Sequence, residues 1–450
     1  MIKIHMSSIL LAEKNYIIDV MFSEFFNLEY EVIIDDNHEY ISITLDNEAR
    51  LVVCCELLNI EDYLSSHHLP KVRYVKNKFT PECDIPNLYG TGNVEVSDSE
   101  IICNIDIFSS CFFMLSRMEE KNSTIKDNHN RFQSNNSIAF KFGFLDRPIV
   151  DEYTEMLWNM LSYLQPSLIR KQHNFKKFIT CDVDWPYDPV RRSLKKSLKK
   201  FVGDLLKRKD IMSAVTTLKL YLYHQLGLKQ GDIYRSSIDW MMDVNEKVGN
   251  KISFYFISFA TTELDSTFDL TSSDMIELLQ SISARGHEIG LHPGYNTFQH
   301  EKNFKKSVET LKHAMDIAGI NQQSIGGRMH YLRWDASITA SLWAKNGLAY
   351  DSTLSFADLS GFRCGTCREF SMFDLNEKSH LQLKQRPLIN MECTVISPMY
   401  EGLGYSNQAM ERFKYFIRKT SQYNGNYTLL WHNSHFSNAK DKQFYKELIK

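Results

Sequence analysis

Two carboxylates, Asp182 and Asp184, end a short apolar run that begins at Phe178. Because side chains alternate between the two faces of a strand, both carboxylates are predicted on one face at the end of that strand. Two like charges so close together are costly unless a cation accompanies them. The pair therefore indicates either a metal-bound carboxylate beside a free one, or two acids that only close a strand before the turn at Trp185 and Pro186.

A second candidate strand, about a hundred residues later, also ends in a side chain that binds metals. Glu288 and His292 fall on one face of it, while Ile289 and Leu291 fall on the other. An apolar run and an amphipathic helix precede this strand, which is the order of a βαβ unit. His292 is then expected to meet Asp184 at the mouth of a barrel, and this pair of donors suits zinc, cobalt, nickel or iron.

The order of these segments resembles the motifs of the polysaccharide deacetylase family, the NodB-homology carbohydrate esterases. The segment 181–184, Cys-Asp-Val-Asp, is similar to the first motif of that family. The resemblance implies that Asp182 is the catalytic base and that Asp184 is a metal ligand. A bacterial subset of the family carries an extra N-terminal domain, and this chain is most similar to that subset.

The segment 292–296, His-Pro-Gly-Tyr-Asn, is similar to the second motif. The resemblance implies that His292 is a metal ligand and places Asn296 where the family has a second histidine. An amide oxygen is a weaker donor for zinc than imidazole. Tyr295 is assigned to substrate binding, and a backbone N–H near it is expected to stabilise the oxyanion.

The segment 327–335 is similar to the third motif, which implies that an arginine orients Asp182 through a salt bridge. Arg328 is assigned that role, and Arg333 is the second choice. The segments 349–353 and 361–365 resemble the fourth motif, which implies that Asp351 and Arg363 line the substrate groove.

The segment 427–433 is similar to the fifth motif, a strand that bears a general acid. The resemblance implies that His432 protonates the leaving group. By itself, His432 is more often expected to be a core histidine beside Trp431.

Together these assignments imply hydrolysis of an acetyl group from an N-acetylated sugar, in a polysaccharide or its precursor. The cofactor is predicted to be a divalent metal ion, zinc first, with cobalt or nickel as alternatives. Two other functions stay open. A metal-free, degenerate barrel would only bind glycans, and a related barrel enzyme would hydrolyse the C–N bonds of a small cyclic ureide.

The composition limits the classes of binding partner and the compartment that are expected for this protein. The 450-residue chain has a formal net charge of only -3, which argues against a nucleic-acid-binding surface. Nine cysteines in irregular positions favour a reducing compartment. No export signal and no membrane-spanning segment are predicted. The expected location is therefore the cytoplasm, at the periphery of the inner membrane if the substrate is a lipid-linked sugar.

Alternating apolar strands and amphipathic helices predict an α/β protein. The resemblance adds the form, a distorted (β/α)7-type barrel over residues 175–450 after a smaller accessory α/β domain over residues 1–168. Before the join, a helix is predicted to begin between Pro148 and Asp151 and to end before Pro166. Further upstream, strands are predicted at 40–45, 51–55 and 100–107, and a buried helix at 107–118.

Residues 189–235 are predicted to form an insertion in the barrel. Its segment 191–209 has nine basic residues opposite an apolar stripe, Leu194, Leu198, Phe201, Val202, Leu205 and Leu206. This pattern predicts a basic amphipathic helix. Such a helix lies on an anionic membrane, collects a phosphorylated or acidic sugar, or packs on the barrel with a solvated basic face.

Overall fold

The computed structural model describes residues 1–121, 123–190, 193–206, 210–228, 232–436 and 439–450. These residues form two compact units. The first contains residues 1–176, 331–390 and 415–427, and the second contains residues 177–330, 391–414 and 428–450. Because this grouping does not follow one cut in the sequence, the predicted boundary between residues 1–168 and residues 175–450 stays a prediction.

Strands and helices alternate along the chain, which confirms the predicted α/β class. The strands are β1 (Ile2–Met6), β2 (Tyr30–Ile34), β3 (Tyr40–Thr44), β4 (Arg50–Cys54), β5 (Arg73–Val75), β6 (Ile85–Asn87), β7 (Val94–Val96), β8 (Glu100–Cys103), β9 (Lys176–Val183), β10 (Ile252–Phe256), β11 (Glu288–Leu291), β12 (Gly326–Gly327), β13 (Tyr350–Asp351), β14 (Phe370–Asp374), β15 (Ser379–Gln385), β16 (Asn390–Met391) and β17 (Asn426–Leu430).

The helices are α1 (Leu11–Asp19), α2 (Ile107–Ser116), α3 (Met118–Lys121), α4 (Ile138–Lys141), α5 (Ile149–Leu164), α6 (Leu194–Leu206), α7 (Ile211–Gln225), α8 (Ile233–Glu246), α9 (Ser273–Ala284), α10 (Glu301–Ile317), α11 (Thr339–Lys345), α12 (Glu392–Ile396), α13 (Asn407–Gln422) and α14 (Ala439–Leu448). In the described ranges, no helix has both the length and the apolar character needed to cross a membrane.

A six-stranded mixed sheet, in the order β2-β1-β3-β4-β8-β7, forms part of the first unit. The pairs β1–β2 and β4–β8 are parallel, and the other neighbours are antiparallel. Helix α2 is buried along its whole length because it is apolar on every side. The strands predicted from residues 40, 51 and 100, and the helices predicted from 107 and about 150, are confirmed with shifted ends.

The carboxylate of Asp106 caps the N-terminus of α2. It accepts hydrogen bonds from the backbone N–H of Ser109 at 3.0 Å and from that of Glu56 at 2.5 Å. Burial raises the pKa of Asp106 to about 6, although these N–H donors oppose the rise. The ionised form of this cap is therefore less favourable in the folded protein than in the unfolded chain.

Parallel strands form the centre of the second unit. β10 pairs with β9 on one side and with β11 on the other, and β11 pairs in turn with β12. The predicted βαβ unit is confirmed as β10, α9 and β11. On the far side of β9 lies β17, where the Trp431 N–H donates to the Thr180 carbonyl at 3.0 Å. The carboxyl ends of the parallel strands share one edge, while closure into a barrel stays a prediction.

Helices α6 and α7 occupy the predicted insertion. The described part of the basic segment is helical from Leu194 to Leu206. Five of its nine basic residues lie outside the described residues, namely Arg191, Arg192 and residues 207–209.

Candidate metal and acid-base site

Several candidate residues follow strand ends at one edge of the second unit. Asp182 lies in β9 and Asp184 directly after it, His292 follows β11, and Arg328 follows β12. His432 comes two residues after β17, which is the neighbour of β9. Because parallel strands end at a common edge, these side chains converge.

Asp184, His292 and His330 have donor atoms that all lie within 4.8 Å of one another. Nε2 of His292 is 3.2 Å from Oδ1 of Asp184, and Nε2 of His330 is 3.6 Å from the same oxygen. Both imidazoles are buried, and Asp184 is partly exposed. Two imidazoles and one carboxylate form a ligand set that catalytic zinc uses. His330 was not among the predicted ligands.

Hydrogen bonds at Nδ1 fix the orientation of both imidazoles. Nδ1 of His292 lies 2.6 Å from the carbonyl oxygen of Arg328, and Nδ1 of His330 lies 2.7 Å from Oδ1 of Asp265. A carbonyl oxygen and a carboxylate oxygen can only accept, so each Nδ1 carries the hydrogen. In the neutral rings, each Nε2 then presents its lone pair toward Asp184, as metal-binding histidines do.

Asp265 lies in the loop after β10 and is held by backbone donors of that loop and of the loop after β11. Its Oδ1 accepts the Tyr295 N–H at 2.8 Å, and its Oδ2 accepts the Thr261 N–H at 2.7 Å. Burial by itself would raise the pKa of Asp265, but His330 and these N–H donors lower it well below its usual range. Asp265 is thus an ionised acceptor that orients His330.

Two buried polar atoms of this cluster, Oδ1 of Asp184 and Nε2 of His292, make no hydrogen bond with any described residue. Buried polar atoms are normally paired, so a cation between them is the simplest explanation. Burial would raise the pKa of Asp184, but the neighbouring His292, His330 and His432 lower it below its usual range. Burial would lower the pKa of His292, but Asp182 and Asp184 raise it. The carboxylates therefore attract positive charge to this point.

Asp182 is buried against Arg328. Nη1 of Arg328 donates to Oδ1 of Asp182 at 2.7 Å and to Oγ1 of Thr180 at 3.0 Å. The guanidinium also lies over the ring of Tyr255, 5.1 Å from its centroid. Oδ2 of Asp182 lies 3.8 Å from Nε2 of His292, so this oxygen faces the cluster of Asp184, His292 and His330.

The backbone at Arg328 lies close against β11. The Arg328 N–H donates to the Leu291 carbonyl at 3.0 Å, and a Cβ placed on Gly327 would lie only 1.9 Å from that carbonyl oxygen. Glycine is therefore required at position 327 for this approach. The side chain of Arg328 thus holds Asp182 while its carbonyl holds His292.

His432 is paired with Glu392, which begins α12. Nδ1 of His432 is 2.5 Å from Oε1 of Glu392, and the His432 N–H donates to the same oxygen at 3.1 Å. Burial would lower the pKa of His432, but Glu392 raises it to about 10. Nε2 lies 3.8 Å from Oδ2 of Asp184. The raised pKa favours the protonated imidazole, and Nε2 is directed toward the cluster.

A second group of donor atoms within 4.8 Å of one another consists of Glu392, Cys393, His432 and His435. Nδ1 of His435 lies 3.0 Å from Oε1 of Glu392, and Sγ of Cys393 lies 3.4 Å from that nitrogen. Because two imidazoles already engage Oε1, we interpret this group as a network that holds His432 in place.

Asn296 and Tyr295 lie in the loop after β11. The Asn296 N–H donates to Oγ1 of Thr261 at 2.9 Å. The Tyr295 N–H is engaged with Asp265, so it is not the free donor expected for an oxyanion. The roles of Asn296 as a metal ligand and Tyr295 as a substrate contact stay predictions.

Arg333, Asp351 and Arg363 lie in the first unit and have partners there. Nε of Arg333 donates to a backbone carbonyl at 2.8 Å, and Oδ2 of Asp351 accepts the Thr353 N–H at 3.0 Å. Nε of Arg363 donates to Glu120 at 2.9 Å. Their roles in orienting the base or binding substrate stay predictions.

Three residues of this arrangement, His330, Asp265 and Glu392, were not found by reasoning from the sequence. His330 lies two residues after Arg328, so strand alternation alone would have placed both on one face. Glu392 follows the mostly apolar segment 388–391, Leu-Ile-Asn-Met, which is similar to the segment Phe-Ile-Thr-Cys before Asp182. Asp265 lies in an irregular loop whose sequence gives no comparable signal.

Comparison with known proteins gives a partial picture. A model for a family of unknown function (DUF7033) matches residues 2–166. No curated protein matches the chain. Among solved structures, a candidate polysaccharide deacetylase from Mycobacterium smegmatis is similar, with 14% identity over 62% of this chain and 84% of that one and a TM-score of 0.40.

Two further solved structures are similar over 62% of this chain. The Puue allantoinase has 10% identity, 83% of its own length covered and a TM-score of 0.36. Another candidate polysaccharide deacetylase, from Pseudomonas aeruginosa PAO1, has 11% identity, 84% of its length covered and a TM-score of 0.36. Likenesses this weak do not identify an activity.

Proposed function

We propose that this protein is a metal-dependent hydrolase that removes an acetyl group from an N-acetylated sugar in a polysaccharide or its precursor. The proposal rests on one observation: three kinds of side-chain group lie together at one edge of the second unit. They are a three-donor cluster, a carboxylate paired with arginine and an imidazole paired with glutamate. Acyl hydrolysis needs an activated water, a base for its proton and an acid for the leaving group.

Asp184, His292 and His330 are the residues that would hold the ion. The fit rests on the buried, unpaired Oδ1 and Nε2 atoms and on the Nδ1 hydrogen bonds that turn both Nε2 atoms inward. Imidazole and carboxylate donors favour zinc, with cobalt or nickel as alternatives. A bound ion of this kind lowers the pKa of a water and polarises an acyl carbonyl. Asn296 remains a candidate for a further ligand.

Asp182 is proposed as the base. Arg328 holds its Oδ1, which leaves Oδ2 on the side of the cluster to accept a proton from water. Arginine keeps its charge at every physiological pH, so it orients the carboxylate without competing for the proton.

His432 is proposed as the general acid. Glu392 holds its Nδ1–H, so Nε2 is the nitrogen that gives a proton to the departing amine. The same contact fixes the ring plane, so less conformational entropy is lost when His432 is oriented for proton transfer. Glu392 is a positioning residue, because it acts through His432.

The acetylated sugar is the most specific part of the proposal, and it comes from the five ordered motifs. A metal-free protein that only binds glycans would need neither a base held by arginine nor an imidazole held by glutamate, so these two pairs favour hydrolysis. Ring opening of a cyclic ureide needs the same groups and is the second candidate. A lipid-linked sugar on the cytoplasmic side of the inner membrane is the proposed form of substrate.

The decisive experiment measures metal per chain and then product release. Wild type, Asp184→Ala, His330→Ala, Asn296→Ala and the exposed-surface control Asp316→Ala are reconstituted identically with zinc, cobalt or nickel and analysed for bound metal. We expect near-stoichiometric metal in wild type and control and its loss in the Asp184 and His330 variants. If Asn296→Ala retains the bound metal, Asn296 is excluded as an essential ligand.

Loaded protein is then offered N-acetylated amino-sugar oligosaccharides and, separately, allantoin. Release of acetate from the sugars supports the proposal, whereas ring opening of allantoin alone would replace it with the ureide reaction. No specific metal in any variant would favour the glycan-binding alternative.

A further inference from the structure

Helices α6 and α7 face each other through small and polar side chains. The buried residues of the pair are Ser197 and Asp204 on α6 and Ala214 and Thr217 on α7. Oγ1 of Thr217 donates to Oδ2 of Asp204 at 3.4 Å, and Nζ of Lys200 reaches the same oxygen at 2.8 Å. The fully buried part of the contact between the two helices is therefore small and polar, whereas large apolar residues usually fill it in a water-soluble helical hairpin.

Ten large apolar side chains of this hairpin, residues 194–206 and 210–228, are exposed, whereas others, such as Phe201 and Leu205, are half-buried. The exposed ones recur mostly at intervals of four residues along each helix and are Leu194, Leu198, Val202, Leu206, Ile211, Met212, Val215, Leu222, Leu226 and Leu228. Three of them, Leu206, Met212 and Leu226, are more than 70% exposed, at 74%, 77% and 72%. Scattered single apolar residues are normal on protein surfaces, but a continuous stripe of this length marks a binding face.

The charges beside the stripe are positive. Lys195, Lys196, Lys199 and Lys200 lie on α6, and Lys219 lies on α7. The acidic residues of the described hairpin are Asp204, which is buried, and Asp210, which caps α7 by accepting the Ser213 N–H at 2.9 Å. Both acids have structural partners, so the lysines set the charge beside the stripe on α6, whereas Leu228, just after α7, lies near Asp232 and Asp274.

We propose that the α6–α7 hairpin docks on an anionic lipid bilayer. The apolar stripe would enter the boundary between head groups and acyl chains, and the lysines would meet the lipid phosphates. A second copy of the chain is a poorer partner, because two hairpins face to face would bring their lysines together. The docking needs no membrane-spanning helix and is independent of the reaction that the site performs.

The test is sedimentation of the full chain with vesicles of phosphatidylcholine, with and without 30% phosphatidylglycerol. We expect wild type to bind the anionic vesicles, to bind neutral vesicles at least about tenfold more weakly, and to be released from anionic vesicles by salt. Equal binding to the two kinds of vesicle, or binding to neither, would overturn the proposal.

Two triple variants separate the apolar and the electrostatic contributions. Leu198→Ser, Val202→Ser and Leu206→Ser together should abolish sedimentation, while Val248→Ser, Ile317→Ser and Met399→Ser, at exposed sites elsewhere, should not. Lys195→Gln, Lys196→Gln and Lys199→Gln together should weaken binding, by about fivefold per lysine at low salt. The matched change of Lys302, Lys305 and Lys312 on α10 should leave binding unchanged.

Self-association is the competing outcome. Light scattering without lipid measures the oligomeric state of wild type and of the apolar variant. A wild-type dimer that becomes monomeric in the apolar variant, together with no vesicle binding, would assign the stripe to an interface between copies and overturn the lipid proposal.

Discussion

The two units of this protein use buried charged side chains in opposite ways. In the first unit, Glu120 accepts from Arg117 at 2.8 Å and from Arg363 at 2.9 and 2.5 Å, so both of its oxygens are engaged. In the second unit, Oδ1 of Asp184 and Nε2 of His292 are buried and make no hydrogen bond with a described residue.

This difference separates a structural ion pair from a binding site. Burial would raise the pKa of Glu120, but Arg363 and Arg117 lower it. Glu119 also pairs with Arg117, so two carboxylates balance the two arginines within the protein. At the candidate site, Asp182 and Asp184 raise the pKa of His292 although burial opposes the rise, so positive charge is favoured there. Two unpaired atoms of ionisable side chains that lie 3.2 Å apart, more than buried charge itself, therefore mark the candidate site.

The largest expected effect comes from the proposed base. Asp182→Asn keeps the shape of the side chain but cannot take a proton from water, so kcat/KM should fall by about 10²–10⁴-fold. Metal per chain should stay at the wild-type level, because Asp182 is not in the ligand set. Steady-state kinetics and elemental analysis of the same preparation check both statements, and undiminished turnover would contradict the assignment.

A change in the first unit should act on stability alone. Glu120→Gln leaves Arg117 and Arg363 with an uncharged partner, and breaking a buried ion pair lowers the free energy of unfolding by about 3–5 kcal/mol. Urea denaturation measures the loss, with the exposed Glu61→Gln as the control. Metal per folded chain should not change. A loss of bound metal would contradict the purely structural role of the Glu120 ion pair.

The carboxylate of Asp106 should make stability depend on pH. Its pKa is about 6 in the folded protein and near 3.8 when unfolded, so between these values the folded state holds the proton more tightly. Stability from this group is therefore full below pH 4 and lost as pH rises through 6, by about 3 kcal/mol, since one pKa unit is worth about 1.4 kcal/mol.

Asp106→Asn should remove that component. Urea denaturation of wild type and variant between pH 4 and 7 should show a smaller decline for the variant. The exposed Asp98→Asn should follow wild type, and equal declines in all three proteins would refute the explanation.

The smallest expected effect concerns the residue that orients His330. Asp265→Asn weakens the hydrogen bond to Nδ1, and metal affinity should fall by about 10–100-fold. Competition with a zinc chelator measures the affinity, and Asp269→Asn, an exposed acid of the same loop, is the control. An unchanged affinity would remove His330 from the proposed ligand set.

Local patterns predicted the strand ends, and the ordered motifs placed Arg328 beside Asp182, as the 2.7 Å contact shows. The same motifs directed attention to Asn296 and away from His330, because a position in a motif says nothing about which imidazole the fold turns toward Asp184. Asp265 and Glu392 act across large sequence separations, so only the folded chain reveals their partners.

The insertion at residues 189–235 shows what sequence periodicity predicts and what it leaves open. The 3.6-residue periodicity predicted an apolar stripe on α6, and the structure has that helix from Leu194 to Leu206. Periodicity cannot say what covers a stripe, and the alternative of packing on the barrel was the simpler expectation. Around the polar contact of Asp204 and Thr217, four residues of the stripe (Leu194, Leu198, Val202 and Leu206) are exposed and Phe201 and Leu205 are half-buried, which no one-dimensional pattern reports.

The carbonyl of Arg328 has a consequence for how this site can diversify. Every residue has a backbone carbonyl, so the orientation of His292 is encoded in the path of the chain and would survive any replacement of the arginine side chain. Gly327 is where that path is vulnerable, because a methyl group there collides with β11. A relative could therefore exchange its base-orienting residue freely while inheriting the metal-facing tautomer, provided that this one glycine is kept.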